Sequence, residues 1–123
     1  MTLVGTAMIG ARERWSDTGI VLEEGATYVL EASGEWVDGW IRCGAEGYDR
    51  WYLRPVRGLR RVRDANWFAL IATIDRREDL RAPAPLGKPW TAPATGTLVC
   101  YANDAPFMYR NNKGAIALRV SRP

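Results

Sequence analysis

Three features of the sequence predict an all-β chain. Apolar residues recur with a period of two in runs of about 5 to 8 residues. These runs are separated by Gly, Pro and Asn/Asp turn formers. No stretch sustains an apolar stripe at helical spacing between recognisable caps, so helices are expected to be short or absent. Short strands at regular intervals imply a sandwich or a barrel.

The candidate strands, in order, are residues 3–11, 20–22, 27–33, 67–74, 96–101 and 115–122. In the last, Ile116, Leu118 and Val120 alternate with Ala115, Ala117 and Arg119, which predicts one buried face and one small or polar face. Between the strands lie two long stretches without regular patterning, 37–64 and 75–95. The second carries Pro83, Pro85, Pro89 and Pro93. Loops this long in a compact β domain are functional or disordered. Trp40, Tyr48, Trp51 and Tyr52 argue against disorder in the first, because disordered segments are poor in aromatics. Of the other tryptophans, Trp36 and Trp67 belong with strand patterns and are expected in the core.

At 123 residues the chain is one domain, 1–123, large enough for a real core and too short for two. Its longest apolar run is far below a membrane span, so no membrane insertion is expected. No basic segment followed by an apolar core and cleavage site opens the sequence, which predicts a cytoplasmic protein or one released by a non-classical route. Histidine is absent, removing the usual acid/base residue and the commonest zinc ligand. Cys43 and Cys100 have no metal-ligand spacing and are read as two buried thiols, with a single bridge as the alternative.

The net charge of +3 is too small to imply a nucleic-acid partner on its own. Arg54, Arg57, Arg60, Arg61 and Arg63 do cluster, but Pro55 and Gly58 break any helix that would align them. A solvated arginine loop is therefore expected, with anion or nucleic-acid binding as the alternative. Catalysis by paired carboxylates would need two acids facing one cleft. Nothing in the sequence marks such a pair, so a binding module is expected rather than an enzyme.

The densest chemistry lies in Tyr101-Ala-Asn-Asp-Ala-Pro-Phe-Met-Tyr-Arg-Asn-Asn-Lys-Gly114, which sets a carboxylate and two adjacent carboxamides between two apolar runs. Calcium seeks roughly 6 to 8 oxygens from carboxylates, amide carbonyls and main-chain carbonyls. Asp104, Asn111, Asn112 and the carbonyl near Met108 supply that type of ligand. The alternative is ordinary turn chemistry, since Asn-Asp and Asn-Asn pairs form turns readily and Gly114 suits a loop end.

This segment, from Asn103 through Gly114 and into the strand that follows, resembles the calcium- and galactose-binding loop of the PA-IL (LecA) lectin family. The resemblance extends more weakly through Asp17-Thr-Gly-Ile20, Gly25, Glu31-Ala-Ser-Gly-Glu-Trp36, residues 68–74 and Trp90-Thr-Ala-Pro93. It implies a small jelly-roll-like β-sandwich of the galactose-binding type and a Ca2+ cofactor. The implied ligands are Asp104, both carboxamides of Asn111 and Asn112, a backbone carbonyl at Met108 and, counted from Gly34, a carbonyl at Asp38. The implied sugar contacts are Asp104, Ala105, Met108 and Asn111. Trp40 and Trp51 are the candidate stacking platforms and Trp90 a packing anchor. The family also implies a carbohydrate partner and a homo-oligomer that presents several sites.

Two departures bear on the sugar. Near Pro55 and Gly58 the family carries a His and a Gln that hold the exocyclic hydroxyl, and neither type occurs here. Phe107 and Met108 stand where the family's loop residues are small, which predicts a narrowed site or an added apolar wall. Relaxed selectivity among galactose-type sugars is expected, with a degenerate sandwich that binds no sugar and serves as an interaction domain as the alternative.

Overall fold

The computed structural model describes residues 1–50 and 52–123; the platform candidate Trp51 lies outside the described residues. In chain order the strands are β1 (Thr2–Gly10), β2 (Ser16–Leu22), β3 (Thr27–Ser33), β4 (Trp36–Asp38), β5 (Ile41–Cys43), β6 (Glu46–Tyr48), β7 (Trp67–Ile74), β8 (Ala82–Pro83), β9 (Pro89–Thr91), β10 (Gly96–Ala102) and β11 (Asn112–Arg122). Helical structure among the described residues is confined to short 3-10 segments. The strands pair antiparallel in two sheets, one built on β11 and the other on β10 and β7. The fold is the all-β sandwich that the alternation predicts.

Strand β11 organises the first sheet. Along one edge it pairs with β1, from Gly10↔Ala115 to Thr2↔Arg122. Along the other it pairs with β3 and then β4, and the register runs without a slip from Val29↔Ser121 to Asp38↔Asn112. Residues 27–38 therefore act as one strand bent at Gly34, whose φ of 92° is the left-handed conformation glycine tolerates best. This register sets Asp38 opposite Asn112.

The core fills the space between the sheets. Ile116, Leu118 and Val120 of β11 are fully buried against Leu30, Leu70, Leu98 and their neighbours. Trp36 is also fully buried, edge-on to Phe68 at 5.7 Å, and its indole N–H donates to the Phe68 carbonyl at 3.1 Å. Burying side chains of this size contributes about 1.5–3 kcal/mol each, before the entropy of ordering them is subtracted.

Strand β7 departs from simple alternation because both of its faces are covered. Phe68, Leu70, Ala72 and Ile74 face the main core, while Ala69 and Ile71 join Val62, Ala65 and Tyr101 in a smaller second cluster. Chain from the first long stretch thus folds across the outside of this sheet. Asn103 ties it down: its carboxamide accepts the Val62 N–H at 2.8 Å and donates to the carbonyls of Val62, Ala65 and Asn66.

The long irregular stretches are more structured than expected. The first contains β4, β5, β6 and a 3-10 segment, and the second contains β8 and β9. Two- and three-residue strands are too short to show a period, which is why they do not stand out in the sequence. Strand β11 also begins three residues earlier than predicted, at Asn112, and β2 earlier, at Ser16. Trp36 and Trp67 are buried as expected, and Cys43 and Cys100 are free, buried thiols. No helix is long and apolar enough to cross a membrane.

Candidate functional site

At one end of the sandwich, β4, β6, the 103–111 loop and the 3-10 segment carrying Leu53 and Val56 enclose a cavity of about 420 Å3. Asp38 and Asp104 are the acidic groups lining it, and no Lys or Arg lines it among the described residues. Asp104 directly follows β10 by way of the tethered Asn103. Its own carbonyl accepts the Arg61 main-chain N–H at 3.1 Å. Asn112 is the first residue of β11, held opposite Asp38 by the ladder.

The Asp104 carboxylate is 2% exposed. One oxygen accepts the Ala105 N–H at 2.8 Å and the other accepts the Asn112 side-chain N–H at 3.0 Å. Burial pushes its pKa up to about 6; the Asp38 charge adds to the rise, and the two hydrogen bonds oppose it. Burial likewise raises the Asp38 carboxyl, against the pull of a hydrogen bond from the Tyr48 hydroxyl. Two desolvated carboxylates with no Lys or Arg lining the cavity among the described residues make a site of unbalanced negative potential.

Asn112 completes this picture. Its amide nitrogen also donates to the Ala11 carbonyl at 3.0 Å, yet its carboxamide oxygen is buried without a hydrogen-bond partner. A buried acceptor left unmade costs about 1–3 kcal/mol. An orphaned carbonyl oxygen beside a desolvated carboxylate is the donor chemistry a hard cation uses. The residues present therefore fit calcium.

The walls are apolar and aromatic. Trp40, 78% exposed, stands at the rim with Phe107, Met108, Tyr52, Val56 and Leu59. The expected added wall at Phe107 and Met108 is present. Pro55 and Gly58, at the positions of the family's hydroxyl-holding pair, do not line the cavity. Trp67 closes one side, and its buried indole N–H has no partner. Its backbone neighbour Phe68 has a φ of 59°, a strained value for a bulky residue, and pairs beside Gly47, where a Cβ would fall 2.2 Å from the Trp67 carbonyl oxygen.

Of the residues the sequence singled out, Asp38, Trp40, Asp104, Ala105, Met108 and Asn111 line one cavity, with Asn112 behind Asp104. Asn111 is exposed; its carbonyl accepts the Gly39 N–H at 3.3 Å, which joins the loop to the turn after Asp38. Sequence reasoning missed the roles of Tyr48 and Trp67 and the wall formed by Leu53, Val56 and Leu59. A Tyr flanked by Gly47 in the stretch facing Asp38 was the available signal for the first. The arginine loop also differs from expectation: Arg54, Arg57 and Arg63 are exposed, but Arg60 is buried and Arg61 lies against the rings of Trp15 and Tyr101. Aromatic faces and main-chain carbonyls take the place of water there.

No family model and no curated protein sequence matches this chain. Its fold is similar to that of a solved structure. The likeness is to the solved structure described as the EclA N-terminal domain, a PllA-like lectin, with a TM-score of 0.73 over 99% of this chain and 98% of that one. At 20% identity this likeness establishes the fold.

Proposed function

We propose that this protein is a calcium-dependent carbohydrate-binding domain of galactose-type or relaxed specificity. The observation that carries the reading is the desolvated Asp104 carboxylate lining an aromatic-walled cavity, with Asn112 behind it donating a side-chain N–H to that carboxylate and leaving its own carbonyl oxygen buried without a partner. Asp104, Asn111 and Asn112 would hold the ion through side-chain oxygens, with main-chain carbonyls of Met108 and Asp38 beside them. When bound, the ion supplies Lewis-acid sites for neighbouring sugar hydroxyls. With roughly six protein oxygens in a shell of up to 8, about two positions remain for one monosaccharide.

The chain's own residues then orient the sugar. Asp104 and Asn111 accept hydrogen bonds from the coordinated hydroxyls, and the Trp40 or Phe107 ring covers the apolar C–H face. Nothing at Pro55 or Gly58 clamps an exocyclic hydroxyl, so monosaccharide binding is weak and tolerant. A glycan array in calcium, repeated in EDTA, tests the reading. Signal in calcium that EDTA removes supports it, and signal unchanged by EDTA overturns the metal's role.

One observation favours the second reading, an interaction domain without sugar binding: Trp40, Val56, Leu59, Phe107 and Met108 form an exposed apolar cluster at the cavity rim. Such clusters mark binding surfaces for partners as well as ligands. Silence on the array in both conditions would favour it. A homo-oligomer also remains our expectation, since shallow sites gain from multivalency. Because β11 has neighbours on both long edges, assembly through it would use its exposed face rather than an open ladder; light scattering of the purified domain gives the answer.

A further inference from the structure

Behind the 104–109 loop lies a second, open groove of about 730 Å3, which shares Leu59 and Phe107 with the cavity as a common ridge. Its chemistry is opposite. Arg14, Arg60, Arg61, Arg63 and Arg81 line it with a single acid, Glu78. Glu78 already pairs with Arg61 at 3.3 Å and with Arg81 at 2.9 Å.

The remaining cations form no salt bridge among the described residues, although the charges of Asp49 and Asp64 reach Arg60. The Arg60 guanidinium is buried and donates to the main-chain carbonyls of Arg57, Ala65 and Arg63, which satisfy its hydrogens without neutralising its charge. Arg14 donates to the Pro106 carbonyl at 2.8 Å, on the ridge itself. Arg63 is exposed and forms no ion pair among the described residues. Arg61 is fixed by the rings of Trp15 and Tyr101, whose centroids lie 4.3 and 3.6 Å from its carbon. The groove is therefore a preorganised positive surface rather than a set of freely solvated side chains.

We propose that this groove is an acid subsite of the sugar site, so that the ligand is an oligosaccharide whose neutral end sits over Asp104 and whose adjoining unit carries a carboxylate or sulfate. This rests on the calcium-dependent reading above. The Asp104 carbonyl bonded to the Arg61 N–H places the two surfaces back to back across one loop, and Phe107 is the short path between them. Arginine recognises planar oxyanions through paired charge-assisted hydrogen bonds. A nucleic acid fits less well: phosphate tracking needs a run of cations, whereas these converge on one spot beside a cavity that is negative.

Galactose-capped disaccharides whose second unit is galactose or galacturonic acid, prepared in several linkages and titrated by calorimetry in calcium, test the proposal. At least one acidic member should bind about tenfold more tightly than its neutral counterpart. Added salt should shrink that difference. Arg63→Gln, and Arg14→Gln with a melting curve to confirm folding, should abolish the preference while neutral binding stays unchanged. Equal affinities, or a preference that survives both substitutions, would overturn the acid subsite. Absence of neutral binding even in calcium, with acidic binding that persists in EDTA and is released by Arg63→Gln, overturns the calcium reading and still supports the groove. Tighter binding of a single-stranded oligonucleotide than of any acidic disaccharide would overturn it in favour of nucleic acid.

Discussion

Raising the pH of the metal-free protein ionises Asp104 inside the fold, and the cost of doing so follows from its surroundings. In the unfolded chain this carboxyl titrates near 3.8, and in the folded site near 6. Between those values the folded state holds the proton more tightly, so each unit of pH removes stability, and the full penalty is present above the upper value. About two units at 1.36 kcal/mol each come to about 3 kcal/mol, or roughly 10 °C in melting temperature for a domain of this size. Asp104→Asn removes the titration, so the difference between variant and wild type isolates it. The variant sets an amide N–H against that of Asn112, but this handicap does not vary with pH. Melting curves in EDTA from about pH 4 to 7.5 should therefore show Asp104→Asn gaining on wild type by about 3 kcal/mol across the window. Excess calcium should erase the gain by supplying the missing counter-charge. Parallel curves for the two proteins in EDTA would show that Asp104 is not desolvated, and the argument for a cation site would lose its footing.

Calcium should raise the wild-type melting temperature, by the equivalent of roughly 2.7 kcal/mol at a hundredfold excess over Kd, and should leave Asp104→Asn unmoved. A Cβ at Gly47 would fall inside contact distance of three backbone atoms of residues 67–69. Gly47→Ala should thus destabilise by about 3 kcal/mol or more in urea titrations, because the residue also has a φ of 73°. Asn103→Ala deletes the fully buried carboxamide that binds residues 62–66; a loss of about 2–4 kcal/mol is expected, together with faster amide exchange at Val62.

How legible all this was depends on what each residue's environment can write into local pattern. Strand β11 shows its period because one face is buried and the other is not, and its Ile116, Leu118 and Val120 could be read directly. Strand β7 is legible as a short apolar run between turn formers, but nothing local shows that its second face is covered by chain from residues 60–65. The candidate ligands were visible because Asp104, Asn111 and Asn112 share one loop. Tyr48 and the Leu53–Val56–Leu59 wall reach the cavity only through tertiary folding, which sequence spacing does not encode. Arg60 and Arg61 misled for a related reason: an arginine's solvation depends on carbonyls and rings that are brought to it from elsewhere, such as Ala65 and Trp15.

The constant register with which residues 29–33 and 36–38 pair with β11 makes the site a matter of counting. Trp36 in the core and Asp38 at the cavity hang from the same run of pairs, two residues apart. Inserting one residue at the Gly34 bend would turn both side chains to the opposite face, emptying the core and the cavity together, whereas inserting two would shift them in phase. A transplant of residues 103–112 into another sandwich would consequently carry the candidate ligands of that loop intact yet fail to set them beside Asp38, unless the host strand facing Asn112 arrived in the same register. The loop is portable only together with the strand that measures it.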